Sequence, residues 1–303
     1  MEQLENNKVG AVIVYYNPSA ENLESTLNNM KVVDFIVVVV NGPWEERYAA
    51  ISQHAKVRVL PLDRNTGIAT ATNAGIECLE EIGGFSHVVL LDQDTSLPDN
   101  YRDLLGIEAS LIAQGVNPGV ISPCYFNPRT LTKSACLVFK KFHFKRFIPS
   151  ADIEEATCPI ASGSLIRAEV IRKAGKMKDE FFIDYVDNEF CLRLYSMGYR
   201  NFVAGNVKMA HELGAQTPRK ILGLNIRPTN HSPLRKYYIT RNRFVVLMKY
   251  FHLFPSLFMF EIMALSLDCF RVLVFEQQRM KKMRMICSGF ADFLLGRMGQ
   301  KYV

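Results

Sequence analysis

The chain has 303 residues, of which 49% are hydrophobic and 22% are charged. This composition leaves ample apolar material for a large core, and the length predicts one big or two modest domains. Seven cysteines, an odd number without a Cys-x-x-Cys pair, argue against a disulfide framework or a structural zinc site, so a reducing cytosol is the expected compartment. The first residues, MEQLENNK, show no apolar signal region, and we expect no secretory targeting.

The net charge of +6 is unevenly distributed. Residues 219–303 contain 15 Lys or Arg and only four Asp or Glu, whereas residues 1–218 contain 21 basic and 26 acidic residues. This asymmetry predicts a second functional surface in the C-terminal part of the sequence. We therefore expect two domains, 1–215 and 216–303, the second being a basic amphipathic helical region.

Strand-like and helix-like signals alternate in the first half of the chain. Four apolar runs are typical of buried strands: 9–17, 35–42, 56–62 and 87–94. Helix-like stretches separate them: 19–30, 44–54 and 67–82. Ser19 opens the first of these stretches as a helix N-cap. The alternation predicts an α/β fold with a mainly parallel sheet whose faces are covered by helices.

Polar residues follow each of the four predicted strands: Asn17, Asn41, Asp63, and Asp92 with Asp94. In open sheets of this kind, ligands bind beyond the carboxyl ends of the strands. We therefore expect the four polar clusters to converge on one edge of the sheet and to form a ligand site there.

The two aspartates after the fourth strand, in HVVLLDQDTS, are separated only by Gln93. Along a strand, residues two apart point to the same side, and two neighbouring carboxylates raise each other's cost of ionisation. Either the strand ends in a solvated turn, or a cation lies there. A hard cation such as Mg²⁺ or Mn²⁺ would remove the repulsion and bind a diphosphate, which is the interpretation we favour.

Two further stretches contain candidate site residues. In NTGIATATNAGI, residues 65–76, Asn65 and Asn73 supply polar groups near a helix start that favours anions, although a tightly packed helix with an Asn cap explains the pattern too. In FFIDYVDNEF, residues 181–190, the acidic residues lie among aromatic ones. Burial there would raise a carboxyl pKa and suit a general base, while the alternative is a helix N-terminus with acids placed for its dipole.

The acidic residues of the second stretch are Asp184, Asp187 and Glu189. If the whole stretch is helical, Asp184 and Asp187 share a face. His211 follows a strand-like run in MAHELG and could face the metal, although a lone histidine is more often structural.

Residues 244–275 are the most hydrophobic part of the chain, but charged residues and a proline interrupt them. No charge-free run reaches the roughly 20 residues that a membrane span needs. Since the basic stretch EQQRMKKMRM follows, the pattern indicates helices that lie on an anionic membrane surface. The alternative is a helical subdomain that packs on the core or across a homodimer.

Seven motifs, taken in their order, resemble those of the family-2 glycosyltransferases of the GT-A fold, and most closely those of bacterial rhamnosyltransferases. They are VIVYYNP, NTGIATATNAGI, LLDQDTSLP, ASGSLI, FFIDYVDNEFCLRLYSMGYR, HELG and RKYYITRNRFVVL. The resemblance covers residues 9–250. It implies a Rossmann-like, mixed and mainly parallel sheet flanked by helices, with a C-terminal helical extension.

The resemblance also implies residue roles. Asp94 would bind Mg²⁺ or Mn²⁺, with Asp92 near the ribose or a metal-bound water and His211 completing the metal or diphosphate site. Asp187 would be the catalytic base, with Glu189 and Asp184 as acceptor or support residues. The remaining positions would contact the donor: Tyr16, Asn17, Asn41, Asp63, Asn65 and Asn73 at the nucleotide, Ser162, Gly163 and Ser164 at the sugar, and Arg241 and Asn242 at a phosphate or the substrate.

These roles imply an inverting, metal-dependent transferase that moves L-rhamnose from dTDP-L-rhamnose to a glycan or lipid-linked glycan of the bacterial surface, such as lipopolysaccharide, O-antigen or capsule. The expected location is the cytoplasmic face of the inner membrane. One departure concerns the second strand, which ends in Val40-Asn41 where the family commonly has Asp-Asn, so the selectivity for the base stays open.

Other classes fit less well. A dinucleotide-dependent oxidoreductase needs a glycine-rich turn after the first strand, and YYNPSAEN has none. A non-catalytic nucleotide-binding or membrane-scaffold protein would not require Asp92, Asp94, Asp187 and His211 together. Nucleic-acid binding is not expected, because the basic residues of the C-terminal part alternate with apolar ones.

Overall fold

In the computed structural model of the chain, the described residues are 7–127, 132–150, 152–210, 219–221, 224–226 and 230–301. The strands are β1 Val9–Tyr15, β2 Phe35–Val40, β3 Val57–Pro61, β4 His87–Asp92, β5 Pro118–Asn127, β6 Thr132–Lys133, β7 Cys136–Phe139, β8 Phe144–Phe147, β9 Glu154–Glu155, β10 Ser164–Arg167, β11 Arg200–Ala210, β12 Arg219–Ile221 and β13 Leu224–Ile226. The helices are α1 Ala20–Asn29, α2 Ala49–Ser52, α3 Ile68–Ile82, α4 Asp103–Ala113, α5 Ala168–Ala174, α6 Val186–Ser196, α7 Pro233–Tyr250, α8 Pro255–Phe275 and α9 Arg279–Leu294.

The central sheet has nine strands in the order β3-β2-β1-β4-β10-β5-β11-β9, with β6 paired to β5. The first four are parallel to one another, and β11 is parallel to β5. In contrast, β10 runs antiparallel to both of its neighbours. The predicted mixed, mainly parallel sheet flanked by helices, with a helical region at the C-terminal end, is therefore confirmed.

Strands β1 and β2 form the most apolar part of the central sheet. Every residue of β1 is buried, as are the last five residues of β2, which matches the continuous hydrophobic runs of doubly covered parallel strands. Small residues bring α3 close to this sheet. A Cβ added at Gly75 would lie 2.3 Å from Val12 Cγ1, so the backbone of α3 can approach β1 only with glycine at that position.

Most of the predicted helices in the first half of the chain are confirmed. The Ser19 cap is confirmed: its hydroxyl accepts from Asn22 N, and the Asn22 side chain accepts from Ser19 N in return. The helix predicted over 67–82 is confirmed as α3. The stretch 44–54 is less regular than predicted, since it contains a 3₁₀ turn at Glu46–Tyr48 followed by the single turn of α2.

The chain divides into two compact units. The first comprises Met1–Val138, Lys145–Asp179 and Asp187–Glu212, and the second comprises Phe139–Phe144, Glu180–Val186 and Leu213–Val303. The second unit thus includes two short segments from the middle of the chain, which the predicted boundary near residue 215 did not foresee.

The second unit is built mainly from α7, α8 and α9. Helices α7 and α9 pack closely at Gly289. A Cβ added there would lie 2.5 Å from Tyr237 O, so the close approach requires glycine. Phe182, Tyr237 and Tyr238 form a buried aromatic cluster inside this unit. Of the helices in the described part of the chain, none has both the length and the hydropathy that crossing a membrane requires.

Candidate active site

The carboxyl ends of four parallel strands lie level at one edge of the sheet in the first unit. Tyr15 at the end of β1 pairs with Val40 at the end of β2, and Val40 pairs in turn with Pro61 at the end of β3. On the other side of β1, Val14 pairs with Asp92. The polar residues predicted to follow these strands therefore share this edge.

The loop after β4 presents the two aspartates. The strand ends at Asp92, and Asp94 lies in a turn closed by a hydrogen bond from Thr95 N to Asp92 O (3.1 Å). The expectation that strand alternation aligns the two carboxylates was therefore wrong, although both side chains are exposed at this edge. Gln93 Oε1 accepts a hydrogen bond from Tyr16 N (2.9 Å), which joins this loop to the end of β1.

The turn before β10 supports the same loop. Ser162 Oγ accepts from Asp92 N (2.8 Å) and bonds Thr95 Oγ1 (2.7 Å). Gly163 has φ +78°, and a Cβ there would lie 2.8 Å from Met209 Sδ, so glycine is needed at that position. Ser162 and Gly163 are buried, and they act here by shaping the aspartate loop.

Ser164, the third residue of this predicted sugar-lining motif, is also buried. Its hydroxyl donates to Ile160 O (2.7 Å) and thereby holds the turn that enters β10.

Tyr125, near the end of β5, is a site residue that sequence reasoning missed. Its hydroxyl donates to Ser162 O (2.9 Å). Burial raises the pKa of Tyr125 well above its usual range, and the negative charges of Asp92, Asp94 and Asp187 raise it further, while the bond to Ser162 opposes them. The negative charges of these three carboxylates thus all raise the pKa of Tyr125 within the first unit, and its hydroxyl stays protonated.

Asp187 occupies the first turn of α6 and is partly buried. Its Oδ1 accepts from Asn188 N (2.9 Å), which orients the carboxylate at the helix start. The prediction that Asp184 shares a helix face with Asp187 was wrong. Helix α6 begins at Val186, and Asp184 and Tyr185 precede it in the left-handed region, with φ +62° and +63°.

Glu189, the predicted neighbour of the base, is 1% exposed and bonds Arg193 on the next turn of α6, with Oε2 2.8 Å from Nη2. Arg193 also donates to Ala174 O (2.6 Å), Gly175 O (2.9 Å) and Lys176 O (2.9 Å). Glu189 therefore holds an arginine that fixes the end of α5 against α6, which is a support role.

The asparagine after β2 organises the loop before α3. Asn41 is 4% exposed, its Oδ1 accepts from Thr66 N (2.7 Å), and its Nδ2 donates to Asn65 Oδ1 (3.3 Å). Asn65 Oδ1 also accepts from Gly67 N (3.0 Å). Asn41 therefore shapes the loop that carries Asn65, and its amide is already engaged inside the protein.

The exposed members of the predicted nucleotide set are Tyr16, Asn17 and Asp63. Asn17 and Asp63 take left-handed φ values of +48° and +59° at the ends of β1 and β3. Asn73, in contrast, is buried in α3. It donates to Met177 O (2.8 Å) and to an Asp179 oxygen (2.8 Å), so it ties α3 to the loop after α5.

Three other predicted residues belong to the second unit: Asp184, Arg241 and Asn242. Arg241 and Asn242 are completely buried, and their N–H groups donate to main-chain carbonyls of that unit. His211 lies outside the described residues.

The carboxylates at this edge of the sheet suit a divalent cation. Within the described residues, no three His, Cys, Asp or Glu side chains are grouped so as to hold a metal ion. Mg²⁺, however, commonly binds through one or two carboxylates and completes its shell with water and substrate phosphates. Asp92 and Asp94, exposed on one loop at the sheet edge, fit that mode.

Comparison with known proteins gives a sequence relative and a common fold. No model of a protein family matches the chain. It is 32% identical over 251 residues to the dTDP-rhamnosyl transferase RfbF of Shigella flexneri, which spans 80% of this chain and 81% of that protein. The crystal structure of S. aureus TarS 1-349 has a TM-score of 0.57 at 13% identity over 96% of this chain and 82% of that one. The same protein in complex with UDP-GlcNAc has a TM-score of 0.55 at 14% identity, over 95% and 80% of the two chains.

Proposed function

Because this chain belongs to the bacterial rhamnosyltransferases among the family-2, GT-A-fold glycosyltransferases, we propose that it transfers L-rhamnose from dTDP-L-rhamnose to a hydroxyl of a surface glycan, with inversion. The name of the Shigella flexneri relative supports this donor, and the UDP-GlcNAc complex of TarS shows a sugar nucleotide bound by a protein of the same fold. The observation that carries the proposal is the level alignment of the carboxyl ends of β1–β4, where Asp92 and Asp94 are exposed on one loop.

In the proposed mechanism, an acceptor hydroxyl attacks the anomeric carbon of the donor while the bond to the diphosphate breaks. Asp187 takes the proton of this hydroxyl, because an alcohol is a weak nucleophile at neutral pH. Attack from the side opposite the leaving group inverts the anomeric centre. Asp92 and Asp94 would hold Mg²⁺ or Mn²⁺, which would neutralise negative charge on the departing nucleoside diphosphate.

A donor screen tests this function directly. Sugar nucleotides are supplied with Mg²⁺ or Mn²⁺ and a glycan acceptor, and nucleoside diphosphate release is followed. We expect release from dTDP-L-rhamnose, and none with EDTA present. Turnover with another donor only would overturn the rhamnose assignment, and full activity in EDTA would overturn the metal.

Asp187→Asn tests the base. We expect kcat to fall by about 10²- to 10⁴-fold, because general-base assistance is worth that much, while the affinity for dTDP stays unchanged. Kinetics and calorimetric titration with dTDP measure the two quantities. Asp103→Asn, an exposed substitution in α4, serves as the control. Wild-type turnover in the Asp187 variant would contradict the assigned role.

The acceptor side of the proposal includes contact with an anionic membrane surface. Exposed apolar side chains recur on α8 at spacings of four, four, three and four residues: Met259, Met263, Leu267, Phe270 and Val274. Exposed basic side chains follow at the start of α9: Arg279, Lys281 and Arg284. An apolar helix face beside such a cluster suits the boundary of an anionic bilayer.

Sedimentation with vesicles tests this contact. We expect binding to phosphatidylglycerol vesicles, release at high salt, and loss of binding in Met263→Glu. Equal recovery in the supernatant with and without anionic vesicles would contradict the membrane contact.

A further inference from the structure

Residues 181–185, which we call the left-handed segment, adopt a backbone that side chains rarely permit. Phe182, Asp184 and Tyr185 have φ values of +65°, +62° and +63°, and none of them is glycine. Such conformations persist only where the surroundings over-determine them. The contacts of this segment should therefore identify the residues that hold it.

Asn242 of α7 makes the most direct contacts with the segment. Its Nδ2 lies 2.9 Å from each of three carbonyl oxygens, those of Phe181, Ile183 and Asp184. Its Oδ1 accepts from Arg241 Nε (3.0 Å), so both ends of the amide are engaged. One buried side chain thus contacts three main-chain carbonyls of the segment.

Arg241 joins the segment to the end of the chain. Its Nη2 donates to Glu180 O (3.0 Å) and Phe181 O (3.2 Å), and its Nη1 donates to Gly299 O (2.6 Å). Gly299 N donates to Glu180 O (2.8 Å), which closes the arrangement. The guanidinium lies 5.1 Å from the centre of the Tyr238 ring, and the side chain is completely buried.

The side chains of the segment are held as well. Arg235 pairs with Asp184 through Nη2 and Oδ1 (2.9 Å). Tyr185 donates to Glu261 Oε2 (2.7 Å), and Arg243 Nε donates to both the Tyr185 hydroxyl and Glu261 Oε2 (2.8 Å each). Four residues of α7 therefore fix a segment of five residues.

The left-handed segment continues directly into α6, whose second residue is Asp187. We propose that Arg241 and Asn242 are positioning residues that hold the left-handed segment, and through it the start of α6 and its base, instead of contacting a donor phosphate; this inference rests on the proposed function. Both side chains are fully buried and bonded to main-chain carbonyls, which is the observation that separates the two roles.

Two substitutions test the proposal. Asn242→Asp keeps the shape of the side chain but replaces Nδ2, which faces three carbonyl oxygens, by an oxygen that cannot donate a hydrogen bond. Arg241→Lys keeps the charge but lacks the fork that reaches two segments, so a phosphate contact would survive this change better than a positioning role would. We expect kcat to fall by about 10- to 100-fold in both, with KM for the donor within twofold, because misplacement by about 1 Å can cost that much.

Tyr237→Phe is the matched control. It removes the hydrogen bond from Tyr237 to Asp292 in the same unit (2.8 Å) but keeps the ring beside Arg241. If lower stability were the cause of lower kcat, Tyr237→Phe and Arg241→Lys would show the same loss of kcat for each degree of lowered melting temperature. We expect kcat of Tyr237→Phe to equal that of the wild type.

Hydrogen exchange gives a readout that does not depend on turnover. We expect the amides of 181–186 to exchange about tenfold faster in both variants than in the wild type and in Tyr237→Phe. If the wild type turned over no sugar nucleotide but the variants still showed the faster exchange, the proposed function would be overturned. The role of Arg241 and Asn242 in holding the left-handed segment would still be supported. A KM increase at constant kcat, wild-type kinetics, or unchanged exchange would overturn the positioning role; if Asn242→Asp does not fold, Arg241→Lys decides alone.

Discussion

The carboxyl edge of the sheet and the interior of the second, helical unit contain polar residues in opposite settings. At the sheet edge, Asp92 at the end of β4 and Asp94 in the turn after it are exposed. In the helical unit, Lys236, Arg241 and Asn242 are at most 1% exposed and are bonded within the protein. Exposure at the end of a buried strand therefore distinguishes Asp92 and Asp94, the proposed ion-binding pair, from polar residues that hold the fold.

The comparison predicts that substitutions in the helical unit cost stability, and the largest effect is expected at Lys236. Its Nζ lies 2.6 Å from Asp268 and 3.9 Å from Glu276. Lys236→Met would remove a buried cation from the partly buried Asp268 carboxylate, while Glu276 keeps Lys282, and should lower the free energy of unfolding by about 3–5 kcal/mol. Urea denaturation measures the loss. Lys281→Met, an exposed change on α9, should stay within about 0.5 kcal/mol; equal stability of the two variants would break the comparison.

At the sheet edge, a substitution should instead cost activity. Asp94→Asn removes an exposed carboxylate and should lower kcat/KM by about 100- to 1000-fold, through weaker stabilisation of charge in the transition state. Its melting temperature should match that of the wild type. Steady-state kinetics and thermal unfolding check both statements, with Asp99→Asn as an exposed control nearby. If the melting temperature of Asp94→Asn fell in proportion to its activity, the contrast between the sheet edge and the helical unit would be contradicted.

Ser162 lies between the two classes, because it is buried and also shapes the aspartate loop. Ser162→Ala leaves Asp92 N without its acceptor, and we expect a loss of about 1–3 kcal/mol in unfolding free energy together with reduced turnover. Ser52→Ala, at an exposed position of α2, should change neither quantity. Turnover that stays at the wild-type level despite the lower stability would place Ser162 with the purely structural residues.

The smallest effect is expected from acid. Burial alone would raise the pKa of Glu276, but the hydrogen bond from Lys282 and the charge of Lys236 outweigh it, so its pKa is lowered. A lowered pKa stabilises the fold above the usual value of about 4.3, and this contribution is lost as pH falls through the folded-state value. Melting temperatures measured from pH 6 to pH 3 should fall less steeply in Glu276→Gln than in the wild type. Parallel curves would contradict this contribution.

Much of the fold could be read from local patterns. The apolar runs of β1 and β2, the Ser19 cap and the helix after Gly67 all depend on residues close in sequence, and the structure confirms them. Level strand ends follow from parallel pairing alone. The site edge was therefore predictable from the positions of the polar residues after each strand.

What local patterns could not reveal is where a buried polar side chain finds its partner. Asn242 bonds carbonyls about 60 residues away, and Asn73 bonds a loop about 100 residues away. Tyr125 lies near the end of β5 without any spacing signal in the sequence. Asp184 lies outside helix α6 because contacts from α7 fix a left-handed backbone there. These assignments depend on tertiary hydrogen bonds, which no single stretch of sequence encodes.

The contact between Gln93 and the main chain of Tyr16 has an energetic consequence. Gln93 stands between the two aspartates, and Tyr16 carries a ring that is 53% exposed at the same edge. Whatever orders one of these loops also orders the other, so cation affinity and nucleoside affinity should be thermodynamically linked. If the chain binds the proposed ion and dTDP, reciprocity requires that the factor by which the ion tightens dTDP binding equals the factor by which dTDP tightens ion binding.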